Sequence, residues 1–177
     1  MKVVPAFRLL LLGLWLGAAV FFIGVAQTAF AVLPTHELAG AMVSRTLAIL
    51  NYSGLGIAFI SLLMSLMSPA SAGRIALWID RTMVSIIGIA CAVSQFIIIS
   101  WMMFSVRAQM GRPIDEVPAD DPLKARFDAL HQYSEWLMLL AMAAALIGFA
   151  VIAMRRPAVT GKKNVIDNLD FQKQFKI

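Results

Sequence analysis

The chain has 177 residues, of which 60% are AVILMFWYC and 14% are charged; a soluble domain runs nearer about 45–50% apolar and about 25% charged. The 15 basic and 10 acidic residues are segregated: none falls in Leu9 to His36, Thr46 to Gly73, Thr82 to Val106 or Trp136 to Met154, so 100 residues are free of formal charge and the other 77 hold all of it. This excludes a soluble globular domain, and a single cysteine beside long apolar runs excludes disorder, collagen, coiled coil and a disulfide scaffold.

Each run is long enough to cross a hydrocarbon core of about 30 Å as a helix. The bilayer offers no water to backbone polar groups, and stretches such as Leu9 to Leu12 or Phe96 to Ile99 lack the two-residue alternation of a membrane barrel. The fold class expected is therefore all-α, an integral membrane four-helix up-down bundle over residues 1–154. Its spans lie near 9–32, 46–67, 82–105 and 136–154, and a basic tail follows over 155–177.

The first span follows Lys2 and Arg8. Ala29-Phe30-Ala31 resembles a signal-peptide cleavage site, but the apolar region exceeds the usual h-region of ~7–15 residues, so a membrane span is expected. In the connection Pro34 to Ser44, Thr35 is placed to cap a brief interfacial helix begun by Glu37. The small residues Ser68 to Gly73 read as a tight hairpin between spans two and three. Between Arg107 and Glu135, Pro113, Pro118 and Pro122 keep the first half irregular. Asp121 then stands at an N-cap, Pro122 at the first helical position, and Leu123, Phe127, Leu130 and Leu137 recur at helical spacing, so the fourth helix is expected to start near residue 122.

Four crossings put both termini on one side. Lys2, Arg8, Arg74, Arg81, Arg155, Arg156, Lys162, Lys163, Lys173 and Lys176 fall there, against Arg45, Arg107, Arg112, Lys124 and Arg126 opposite. Ten against five predicts cytoplasmic termini. The pI near 9.8 then reflects orientation and attraction to anionic lipids rather than nucleic-acid binding, for which no basic stripe with interleaved aromatics exists. Trp78, Trp101, Tyr133 and Trp136 stand at span ends, as amphipathic rings should.

Small residues recur four apart at Gly13 and Gly17, Ser61 and Ser65, Gly88 and Ala92, and Ala144 and Gly148. In lipid, helices associate through such close approach, here within the bundle or against another subunit. Gln27, Thr28, Asn51, Tyr52, Ser94 and Gln95 are the main polar residues inside the spans, read as interhelical hydrogen-bond partners. None of them is ionisable at neutral pH, and no Asp, Glu, Lys, Arg or His falls within the spans, which argues against a proton-coupled transporter.

Leu11 to Phe22, followed by Phe30 and Leu38-Ala39-Gly40, together with Phe127, Leu130-His131 and Ser134 before the last span, resembles the family of domain of unknown function 4149 over residues 8–154. The resemblance implies a four-span membrane protein related to the transmembrane-protein-205 group, some members of which are linked to metal-drug resistance. It implies no agreed biochemical activity.

Candidate chemistry centres on the two histidines, His36 and His131, both on the side opposite the termini. At about 100° per residue, Asp128, His131 and Glu135 share one helix face. With His36 or Glu37 they form a candidate metal site for zinc, iron or copper, set against the plainer reading of a solvated face with a His131–Glu135 pair. Haem or chlorophyll-type pigment ligation by His131 or His36 is a further alternative, though no cofactor is expected overall. Cys91 is alone inside span three, Gly54-Leu55-Gly56 lacks the third glycine of a dinucleotide fingerprint, and no other catalytic motif occurs. The expected function is a non-enzymatic accessory or scaffold subunit of a larger membrane complex, plausibly a respiratory or photosynthetic electron-transfer assembly in a bacterial-type inner membrane. The alternative is a small transport or metal-handling protein.

Overall fold

The protein is described by a computed structural model, in which residues 3–67 and 74–154 are described. The expected hairpin at 68–73 and the basic tail at 155–177 lie outside the described residues. The described residues fold into four long helices: α1 (Val3–Val32), α2 (His36–Leu66), α3 (Arg74–Met110) and α4 (Pro122–Met154). No strand occurs among the described residues. All four are long and apolar enough to cross a membrane. They pack in a ring in which α2 lies against α1 and α3, and α4 closes the bundle against α3 and α1. The end where the chain begins, where α2 gives way to α3 and where α4 finishes is called the terminal end below. The other is called the loop end.

The α1–α2 connection is tighter than the sequence implies. Thr35 caps α2, its Oγ1 accepting from Leu38 N–H at 3.2 Å. The helix begun there is not a separate interfacial piece, because it runs unbroken through the following span to Leu66. Nothing between His36 and Thr46 breaks a helix, so once capped the segment continues. Thirty-one residues rise about 46 Å, beyond the about 30 Å of a hydrocarbon core, and the excess projects at the loop end. The start of α4 has the same kind of local cause: Leu123 N–H donates to Asp121 Oδ1 at 2.8 Å and Ala125 N–H to the Asp121 carbonyl at 3.1 Å.

Helix α3 changes pitch inside its span, with a π-helical stretch over Val93–Met103 between α-helical turns. Such wide turns are rare and usually single. It ends at Gly111, which takes φ 63, the left-handed conformation that closes a helix with least cost when no Cβ is present.

Leu12, Trp15, Ala19, Leu50, Val84, Ile87, Cys91, Ala141 and Ala145 belong to the core, where all four helices meet. Approach is closest at Gly54, where a Cβ would stand 2.7 Å from Cys91 Sγ and 3.0 Å from Trp15 Nε1. Trp15 Nε1 donates to the Leu50 carbonyl at 3.0 Å, which joins α1 to α2 at this level. Trp78, Trp101, Tyr133 and Trp136 are exposed on the outer surface.

Candidate functional site

At the loop end the histidines are engaged by different partners. Asp115 lies in the short 3-10 turn Ile114–Glu116 and folds back onto the start of α2. Its Oδ1 accepts from His36 N–H at 3.2 Å and lies 3.0 Å from His36 Nδ1, while Oδ2 accepts from Glu37 N–H at 3.1 Å. A carboxylate on the free N–H groups of a helix start is stabilised by both hydrogen bonding and the helix dipole. Glu37 pairs with Arg107 and accepts from Ile114 N–H, so two acidic side chains stitch the 111–121 connection to α2.

His131, on α4, pairs instead with Glu135, Nε2 to Oε1 at 3.3 Å. Asp128 and His131 line the same cavity as His36 and Asp115, but among the described residues no three His, Cys, Asp or Glu side chains gather closely enough to hold a metal ion. Of the set expected from the sequence, His131 and Glu135 pair with each other, His36 pairs with Asp115, and Asp128 joins neither pair. The helical spacing put three of them on one face, while Asp115, distant in sequence, holds His36.

The terminal end holds an ion pair from residues just before the charge-free runs, Arg8 ahead of the first and Asp80 ahead of the third, both inside the long helices. Arg8 on α1 makes a two-pronged contact with Asp80 on α3, Nη1 to Oδ2 at 3.0 Å and Nη2 to Oδ1 at 2.7 Å. Ser65 Oγ of α2 donates to Asp80 Oδ2 at 2.7 Å. Arg8 is 2% and Asp80 0% exposed, so this is an ion pair inside the bundle. The two-pronged contact is what makes burial tolerable, since either charge alone would lose its hydration without replacement; Arg8 Nε is buried without a hydrogen-bond partner among the described residues. Arg81 adds a hydrogen bond from Nη2 to the Ser65 carbonyl at 3.1 Å, near the end of α2. The available signal in the sequence was the opposite signs of Arg8 and Asp80, each at the same end of an apolar run.

Between the two ends, Asn51 Nδ2 donates across to Ser94 Oγ at 3.3 Å and Gln95 Oε1 at 3.4 Å, both at the start of the π-helical stretch. Gln95 Nε2 reaches Ser100 Oγ at 3.4 Å. Thr28 turns back on its own helix, donating to the Gly24 carbonyl, and Tyr52 is exposed beside Phe96.

The small residues divide in two. A Cβ at Gly13 would meet Phe149 at 3.3 Å, at Gly88 Ala58 at 3.3 Å and at Gly148 Met83 at 3.6 Å, while Ser61, Ser65 and Ala144 are buried and Ala92 is half-buried. Gly17, by contrast, has nothing within 4 Å, and Gly24 is equally open. Gly54, which the spacing rule did not select, makes the tightest approach.

A family model described as domain of unknown function (DUF4149) matches residues 10–112, more than half of the chain. The match takes in α1, α2 and α3 and stops before α4, so the likeness of Phe127, Leu130, His131 and Ser134 to the family's last segment lies outside it. No curated protein and no solved structure matches the chain.

Proposed function

From the premise that the chain belongs to the DUF4149 family and is a multi-pass membrane protein, we propose that it is a non-enzymatic accessory or scaffold subunit of a larger membrane complex. An electron-transfer assembly in a bacterial-type inner membrane is the host expected. The observation that supports this reading is the shape of α1. One side, with Arg8, Leu12, Trp15, Ala19 and Ala29, turns into the bundle. The opposite side presents Leu10, Leu14, Gly17, Phe21 and Gly24, all exposed, at alternating four- and three-residue spacing. Neither glycine of that seam serves the bundle. A helical glycine costs about 1 kcal/mol relative to alanine, and in lipid the close approach of another helix is what offsets it.

The test is mass spectrometry of what stays bound after gentle detergent extraction of the tagged protein from its native membrane. Stoichiometric partners, among them respiratory or photosynthetic redox subunits, are expected, and the pair Gly17→Leu and Gly24→Leu should release them without changing the unfolding temperature. Recovery of the chain alone overturns the reading. The alternative, a small transport protein, is favoured by one observation, the cavity at the loop end. Its metal-handling form gains no support, because among the described residues no three His, Cys, Asp or Glu side chains gather closely enough to hold a metal ion.

A further inference from the structure

Two cavities at the loop end share a wall. The larger, about 740 Å³, is lined by α2, the end of α3, the 111–121 connection and α4, with Phe30 of α1. The smaller, about 460 Å³, lies between α1 and α4, with Val43 and Leu47 of α2 behind it. Phe30, Val43, Leu47, His131 and Ser134 line both, so the two form one continuous groove. Its narrower part runs from Phe30 to Phe22 on α1 and from His131 to Leu139 on α4, nine residues on each side, or about 12 Å of helix. Ile23, Ala26, Met138 and Leu139 give that part apolar walls, and Gln27 and Glu135 are polar residues at its margin with the wider part. Ile23 and Leu139 are exposed on the outside of the bundle, where acyl chains lie.

The wider part is charged, and most of its charges are satisfied by one another. Arg107 pairs with Glu37, and Asp115 is held by His36 and the first N–H groups of α2. Arg45 and Lys124 differ: among the described residues neither side chain makes an ion pair or hydrogen bond, and the same holds for the Asp128 side chain. Arg45 and Lys124 are thus the cations left open to an anionic headgroup, beside the Asp115, Asp128 and Glu135 carboxylates that also line the groove. Arg45 also stands at the right depth. Twenty residues counted back from Leu66 rise about 30 Å and reach Thr46, so Arg45 sits where the hydrocarbon core gives way to headgroups.

We propose that this groove binds one phospholipid. Arg45 and Lys124 hold its phosphodiester, and an acyl chain lies between α1 and α4. This site is independent of the outward seam of α1 and goes beyond the subunit reading.

The experiment is native mass spectrometry of the full chain in detergent, delipidated and then titrated with phosphatidylglycerol, with diacylglycerol of the same chains, or with inorganic phosphate. One phosphatidylglycerol per chain is expected, with diacylglycerol and inorganic phosphate each about tenfold weaker or more. Arg45→Ala and Lys124→Ala should each weaken phosphatidylglycerol about tenfold, as loss of a charge-assisted hydrogen bond does, at unchanged unfolding temperature. Leu139→Trp, which fills the narrow part, should weaken both lipids. Diacylglycerol binding as tightly as phosphatidylglycerol, binding indifferent to Arg45→Ala and Lys124→Ala, or displacement of the lipid by inorganic phosphate would each overturn the proposal.

Discussion

The two ends of the bundle use similar side chains in opposite ways. At the terminal end Arg8 and Asp80 are 2% and 0% exposed, and three helices converge on one carboxylate. At the loop end His36, Glu37, Arg107 and Asp115 also pair, but around a cavity of about 740 Å³, with His36 77% exposed. Charges excluded from water become a joint between helices, whereas charges left at its edge hold a loop in place and leave others free for a ligand. Burial, more than residue type, decides which.

The largest effect expected from breaking this contrast is at the joint. Arg8→Leu or Asp80→Ala strands its partner in the bundle and should cost about 3–5 kcal/mol, read as unfolding in detergent. The double substitution Arg8→Met and Asp80→Leu removes both charges and should recover most of that loss. A single substitution costing less than about 1 kcal/mol would mean that water already reaches the pair.

Overpacking the core comes next. Gly54→Ala puts a Cβ against Cys91 Sγ and the Trp15 ring and should destabilise by about 1–3 kcal/mol. Cys91→Ala in the same chain should relieve part of it. Gly17→Ala, in open space, should be neutral or stabilising by up to about 1 kcal/mol. Asn51→Leu, which leaves Ser94 and Gln95 without their α2 donor, should cost about 0.6–2 kcal/mol. An effect similar in size to that of Asn51→Leu is expected at the loop end. Asp115→Ala removes an acceptor from the start of α2 and should cost about 0.5–2 kcal/mol at most, visible mainly as faster amide exchange at His36 and Glu37.

What could be read from the sequence follows the range of the physics involved. The spans are a matter of composition, and the start of α4 is local chemistry between Asp121 and Leu123. The all-α bundle was legible for those reasons. The Arg8–Asp80 pair was not, because a count of charges by side is one-dimensional and cannot tell an interfacial arginine from one turned between helices. Asp115 and His36 are 79 residues apart and meet only because the 111–121 connection folds back. The π-helical stretch has no local marker, since Val93 to Met103 is as apolar as the turns around it. For the small residues, four-residue spacing includes Gly88, where a Cβ would meet Ala58 at 3.3 Å, yet gives no helix face, which is why Gly17 points outward while Gly54 sits at the centre.

The asymmetry between a sealed end and an open one can be measured directly by thiol labelling of single-cysteine variants in a Cys91→Ala background. Ser44 lines the loop-end cavity, and Ser61 is fully buried in α2 towards the terminal end. Ser44→Cys should react readily with a small water-soluble maleimide, and Ser61→Cys should stay unreactive until the protein is unfolded. Equal labelling of the two, or faster labelling of Ser61→Cys, would contradict the account.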